Sequence, residues 1–136
     1  MNVPIFRICP LDKDKYLKDI FIFMEFRETF QKSDFGKVWY YYALNSKVKF
    51  ALYVYDDDPT VIYVADVRTD ESLRGQGYGN EILREVERRT IEKGYNIIEL
   101  QVLDKSWKHE WYRRHGFSDL CYNEDDNNFI WMKKTL

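Results

Sequence analysis

Apolar positions change their spacing several times along this chain, and each change marks an element. Ile5, Phe6 and Ile8 form a short run closed by Pro10, which predicts a first strand over 5–8. Asp12 stands where a helix would be capped, and apolar side chains are dense from Tyr16 to Phe30. That density predicts a helical region over 12–32, with IFIFMEF as a place where it breaks into two helices. Residues 38–44, 47–55 and 60–67 are rich in β-branched and aromatic residues. Asn45-Ser46 separates the first two runs and Asp56-Asp57-Asp58-Pro59 the last two, so three consecutive antiparallel strands are expected, the first pair joined by a tight hairpin turn.

Beyond a glycine-rich turn the period lengthens. Gly79, Ile82, Leu83, Val86 and Thr90 share one face of a helix running to about Lys93, and Gly94 suits the position after its end. Glu85 and Arg89 are spaced to pair on the outer face. A strand over 96–103 follows, then a short helix capped by Ser106 and ended by Gly116, with Trp107, Trp111 and His115 as its apolar stripe. On that pattern His109 is exposed and His115 packs or caps. Two last strands are expected over 119–122 and 129–133. The order β-α-(α)-β-β-β-α-β-α-β-β predicts an α/β (α+β) domain: one mixed, mostly antiparallel sheet of six to seven strands with helices on both faces. The strands flanking the long helix should be parallel. No linker or repeat divides the chain, so residues 1–136 are read as a single domain.

Composition narrows the function classes. The 136 residues are 45% hydrophobic and 18% aromatic, which excludes disorder, and a net charge of −2 provides no field for recruiting nucleic acid or an anionic membrane. Cys9 and Cys121 lack CxxC spacing and read as reduced core thiols. The N-terminus has no signal-peptide apolar region, and no apolar run is long enough to cross a bilayer, so a cytoplasmic protein is expected. The oligomeric state is not encoded legibly; a homodimer is compatible with the chain.

The stretch LRGQGYGN, between a strand and the long helix, carries three glycines behind an arginine. A nucleotide P-loop requires GxxxxGK[ST], and no lysine follows. A dinucleotide fingerprint GxGxxG fails in both registers, because Asn80 or Ile82 falls where its third glycine belongs. The remaining chemical reading is another anion cradle. The N–H groups of Gly75, Gln76, Gly77, Tyr78, Gly79 and Asn80 would converge at a helix N-terminus, with Arg74 at the lip, and a diphosphate would fit there. A corner with no ligand is the plain alternative.

Arg74-Gly75-Gln76-Gly77-Tyr78-Gly79 resembles the R/Q-x-x-G-x-G/A signature of the GNAT superfamily of acyl-CoA-dependent N-acyltransferases. Trp111-Tyr112-Arg113-Arg114-His115-Gly116-Phe117 is similar to the aromatic-Tyr-x-x-x-Gly-Phe segment of that family's last helix, and the order of elements is also the family's. The resemblance implies an N-acetyltransferase that uses acetyl-CoA as cosubstrate, with no metal, and acts by direct attack of a primary amine in a ternary complex. A non-catalytic acyl-CoA-binding module of the same fold is the alternative. The acceptor would be a small molecule or a peptide.

By the same resemblance, the strands on either side of the long helix splay apart, and the pantetheine arm lies between them. It would bind the backbone of Val67, Arg68 and Thr69, whose donors would also stabilise an oxyanion. Tyr112 is the expected catalytic acid, since a phenol of pKa about 10 stays protonated at neutral pH and can donate to a departing thiolate. No base is assigned. Tyr63, by alternation on the face of Val67 and Thr69, is none at neutral pH; Asp66 alternates to the other face; Gln101 stands where some relatives carry glutamate; Glu25, Glu28 and Glu99 are further candidates. The chain departs from the family at Glu71, where a proline is common, and at Asp104, Lys105 and Lys108, where asparagine and alanine are common. Lys105 or Lys108 would there meet a cofactor phosphate. Tyr40, Tyr41, Tyr42, Tyr53, Tyr55 and Tyr63 offer acceptor surface, half of them expected in the core, and two acidic turns could draw a cationic amine or simply be solvated.

Overall fold

A computed structural model of the chain describes residues 24–136. The expected first strand, most of the helical region and Cys9 lie outside the described residues. Seven strands form one sheet in the order β1-β2-β3-β4-β5-β7-β6. They are β1 (Arg27–Ser33), β2 (Gly36–Ala43), β3 (Val48–Tyr55), β4 (Asp58–Thr69), β5 (Ile97–Leu103), β6 (Ser118–Tyr122) and β7 (Phe129–Thr135), with α1 (Tyr78–Glu92) and α2 (Trp107–Arg114) between them. Every neighbour pair is antiparallel except β4 with β5.

The expected helix therefore does not reach Lys32. Residues 27–33 instead form an edge strand, and all of it is exposed. Ser33 pairs with Gly36 across a turn at Asp34-Phe35, and the Phe35 carbonyl accepts from Asp56 N–H at 2.9 Å. Only glycine fits at position 36, because a Cβ there would stand 2.1 Å from the Val54 carbonyl oxygen. The next turn is broader than a two-residue hairpin. Ala43 pairs with Val48, and Leu44, Asn45 and Ser46 all adopt positive φ between them.

One face of the sheet carries the core. Tyr41, Phe50, Leu52, Ile62, Ile98 and Met132 pack there against Ile82, Leu83 and Val86 of α1 and Tyr112 of α2. Burial of such side chains contributes about 1.5–3 kcal/mol each. The flank of α1 is also closed by charge. Glu85, only 9% exposed, accepts from Arg88 at 2.5 Å and Arg89 at 2.8 Å, and the Arg89 guanidinium lies 5.0 Å from the centre of the Tyr41 ring. The pair expected on the outer face thus faces inward. Lys93 reaches Glu28 of β1 at 2.5 Å, and Tyr41 donates to the same carboxylate. Burial raises the Glu28 pKa, but the hydrogen bonds from Lys93 and Tyr41 outweigh it and the net shift is downward.

The opposite face holds most of the tyrosines. A chain of ring contacts runs from Tyr42 through Tyr40, Tyr53, Tyr55 and Tyr63 to Trp131, with centroids 5.2 to 6.5 Å apart. Of the six tyrosines singled out, only Tyr41 enters the core, not half of them. Cys121 is also not a core thiol; it sits on β6, whose residues are all exposed.

Candidate active site

β4 and β5 part company soon after they meet. Their parallel ladder consists of Ile62 with Ile98 and Tyr63 with Glu99, yet β4 continues to Thr69 and β5 to Leu103. The far end of β4 thus presents backbone groups with no strand beside them on that side among the described residues. At the same end β4 carries a bulge. Arg68 pairs with Lys49 and Ala65 with Ala51, so two steps on β3 face three on β4. The extra residue turns at Asp66, which has φ 56°. Alternation is thereby reset: Ala65 and Arg68 share the tyrosine face, whereas Val67 and Thr69 face the core side. Tyr63 consequently lies on the face opposite Val67 and Thr69, not with them. Asp66 reaches the tyrosine face, where Tyr53 donates to it at 3.3 Å.

After Thr69 the chain makes one turn of 3-10 helix, Glu71–Leu73, capped by Asp70 through Ser72 N–H at 3.1 Å. The glycine turn follows. Gly77 is the N-cap of α1 and has φ 88°, a left-handed conformation that an L side chain would strain. The first helical bond is Glu81 N–H to the Gly77 carbonyl. None of the N–H groups from Gly75 to Asn80 meets an acceptor among the described residues. These are the orphan donors of a helix start, extended backwards through the loop. Arg74 Nε–H donates to the Thr69 carbonyl at 3.4 Å, which folds this side chain over the end of β4. Gln76 turns back instead, its amide donating to the Ser72 carbonyl at 3.2 Å.

A cleft of about 740 Å³ opens at this junction. Its floor is Val67, Arg68 and Thr69; its head is Arg74, Gly75 and Gly77 to Asn80; its far wall is Trp107, Lys108, Trp111 and Tyr112 of α2. Every expected site residue except Gln76 lines it. Gly79 lets the two helices close together, since a Cβ there would lie 3.3 Å from the Trp111 ring.

The buried face of α2 differs from the expected stripe. Trp107 is 72% exposed, while His109 and Tyr112 are buried. His109 Nδ1 accepts from Lys105 N–H at 3.1 Å, and Nε2 lies 2.8 Å from Asp119 of β6, so the imidazole fastens the loop before α2 to the sheet. Hydrogen bonding from Arg113 first, and from His109 as well, holds the Asp119 carboxyl below its ordinary range. His115 caps α2, with Nδ1 2.8 Å from the Trp111 carbonyl oxygen and Nε2 2.9 Å from Asn80 Oδ1. Tyr112 packs edge-on to Trp111 and Phe117, and burial pushes its phenol up to about 12. Among the carboxylates considered as bases, Glu99 sits on the tyrosine face, where burial and then Asp58 raise its pKa. Glu28 is committed to Lys93 and Tyr41.

No curated protein matches the chain. Among solved structures, an acyl-CoA N-acyltransferase from Pseudomonas aeruginosa is 19% identical over 74% of this chain and 70% of its own, with a TM-score of 0.63. An acetyltransferase from Streptococcus agalactiae is 20% identical over 73% and 67%, with a TM-score of 0.61. The PaiA N-acetyltransferase from Thermoplasma acidophilum, solved with coenzyme A, is 16% identical over 73% and 61%, with a TM-score of 0.60. At those identities the likeness is one of fold. The profile of the acetyltransferase (GNAT) domain covers residues 34–119, well over half the chain and all of the cleft just described. The chain belongs to the GNAT acetyltransferase family.

Proposed function

We propose that this protein is an N-acetyltransferase that moves the acetyl group of acetyl-CoA to a primary amine by direct attack in a ternary complex. The observation that carries this reading is the row of N–H groups from Gly75 to Asn80 at the head of the cleft, which meet no acceptor among the described residues. Such donors at a helix N-terminus suit a diphosphate, to which the helix dipole adds about 0.3–1 kcal/mol at an exposed site. Acetyl-CoA, when bound, supplies the activated thioester. The chain's part is to hold, orient and exchange protons. The unpaired edge of β4 from Val67 to Thr69 would receive the pantetheine amides, and a donor there would face the acyl oxygen. Tyr112 on the opposite wall would protonate the departing sulfur.

Lys108 belongs to the cleft wall, which supports a phosphate contact in place of the asparagine and alanine common in relatives. The test is calorimetric titration with acetyl-CoA and CoA, followed by free-thiol release with a panel of primary amines. Binding with thiol release is the expected result. Binding with no turnover of any amine would leave the non-catalytic acyl-CoA module as the correct reading, and no binding at all would overturn both.

A further inference from the structure

A second cavity, of about 310 Å³, adjoins the cleft on the tyrosine face. The two share Val67 and Arg68, so they meet at the bulge around Asp66. Tyr40, Tyr42, Lys49, Phe50 and Asp66 complete the lining of the smaller cavity. Its charges are unusual. Lys49 stands directly opposite both Arg68 and Tyr42 in the strand register. Two like charges facing each other across strands are destabilising, and among the described residues neither cation forms an ion pair. An anion between them would remove that repulsion. Asp66, in contrast, is an exposed carboxylate held in a left-handed backbone, with a phenol hydrogen-bonded to it. Tyr40 and Tyr53 meet edge to face at 6.4 Å beside it.

Resting on the acetyltransferase reading, we propose that this cavity is the acceptor site and that it takes an α-amino acid. Lys49 and Arg68 hold the carboxylate. Asp66 receives the α-ammonium beside Val67, where the acyl carbon would lie. The tyrosine wall takes an apolar or aromatic side chain. The reaction balances simply. The amine nitrogen forms the bond to the acyl carbon, the carbon–sulfur bond breaks, and the sulfur leaves as a thiol with one proton. The ammonium loses one proton past Asp66 to solvent before attack; the second, lost from nitrogen after attack, balances the proton that Tyr112 gives to the sulfur. A simple alkylamine or polyamine would satisfy Asp66 but leave the two cations facing each other.

The test pairs amino acids with their decarboxylated counterparts: phenylalanine with phenethylamine, leucine with isopentylamine. Phenylalaninamide is included because it keeps the amine and masks the carboxylate. Thiol release from acetyl-CoA gives kcat and KM, and each compound is also titrated into the CoA-loaded protein by calorimetry. The proposal expects kcat/KM at least about tenfold higher for the amino acid, a difference of about 1.4 kcal/mol. It expects the Lys49→Met variant to lose most of that preference through KM while its affinity for CoA is kept. Equal or better binding and turnover of the amines or the amide would overturn it, as would a Lys49→Met variant that binds phenylalanine as the parent does. If CoA binds but no amino acid follows it, the acceptor assignment alone falls. If CoA does not bind, the acetyltransferase reading falls with it.

Discussion

In the proposed reaction Tyr112 gives its proton to a leaving thiolate and must itself remain protonated until that moment, which burial favours by raising its pKa to about 12. The same burial makes it a weaker acid than free tyrosine, so the proposed role rests on its position in the cleft wall. Tyr112→Phe should lower kcat by about 10²-fold or more, the range for general acid catalysis, and leave the affinity for acetyl-CoA unchanged. Steady-state kinetics beside calorimetry separates the two. The proposed role of this residue rests on the motif; the burial pattern of the helix around it was not legible. Spacing alone placed Trp107 inside α2 and His109 outside. The reverse holds because His109 finds two partners, Lys105 N–H and Asp119, that make its burial inexpensive.

Elements that bury one face announced themselves in the sequence. Strands β2, β3 and β5 and helix α1 follow their apolar period closely, because each must aim a stripe at one core. β1 has no such duty: all of it is exposed, and RETFQKS carries helix-compatible charge, so nothing local announces a strand. Its pairing with β2 and the Glu28–Lys93 bridge decide the matter instead. The bulge in β4 was equally hidden, because Asp66 rather than glycine takes the positive φ. That single residue sets which face Val67 and Thr69 present, and hence where the cleft is. Asp66→Gly should therefore leave the fold intact, with a thermal midpoint close to the parent's. Asp66→Val, β-branched at the same φ, should destabilise it by about 1–2 kcal/mol. Chemical denaturation of the two variants side by side checks this; equal loss in both would show that the backbone strain is not the cause.

At the scale of the whole molecule, one sheet keeps two faces with different work. One side is packed with α1 and α2. The other presents linked tyrosines and the smaller cavity, and no helix among the described residues is long and apolar enough to cross a membrane. Several tyrosines bind their protons more tightly in the folded state. Burial, then hydrogen bonding to Glu28, raises Tyr41; burial, then hydrogen bonding to Asp58, raises Tyr63; burial alone raises Tyr112. Each pKa lies above that of an unfolded tyrosine, so the stability they contribute is complete below about pH 10 and is lost as pH rises toward the folded values. Urea denaturation should accordingly show a stability that does not decline on their account up to about pH 10 and falls steeply beyond it.

The central claim is that the main-chain donors between Gly75 and Asn80 hold the diphosphate of coenzyme A. Amide resonances of the labelled protein, followed during titration with CoA, test it most directly. The account predicts that the N–H signals of Gly75 to Asn80 shift saturably and together, well ahead of those on β6. Saturable CoA binding that leaves those signals in place, or no binding at all, would contradict it.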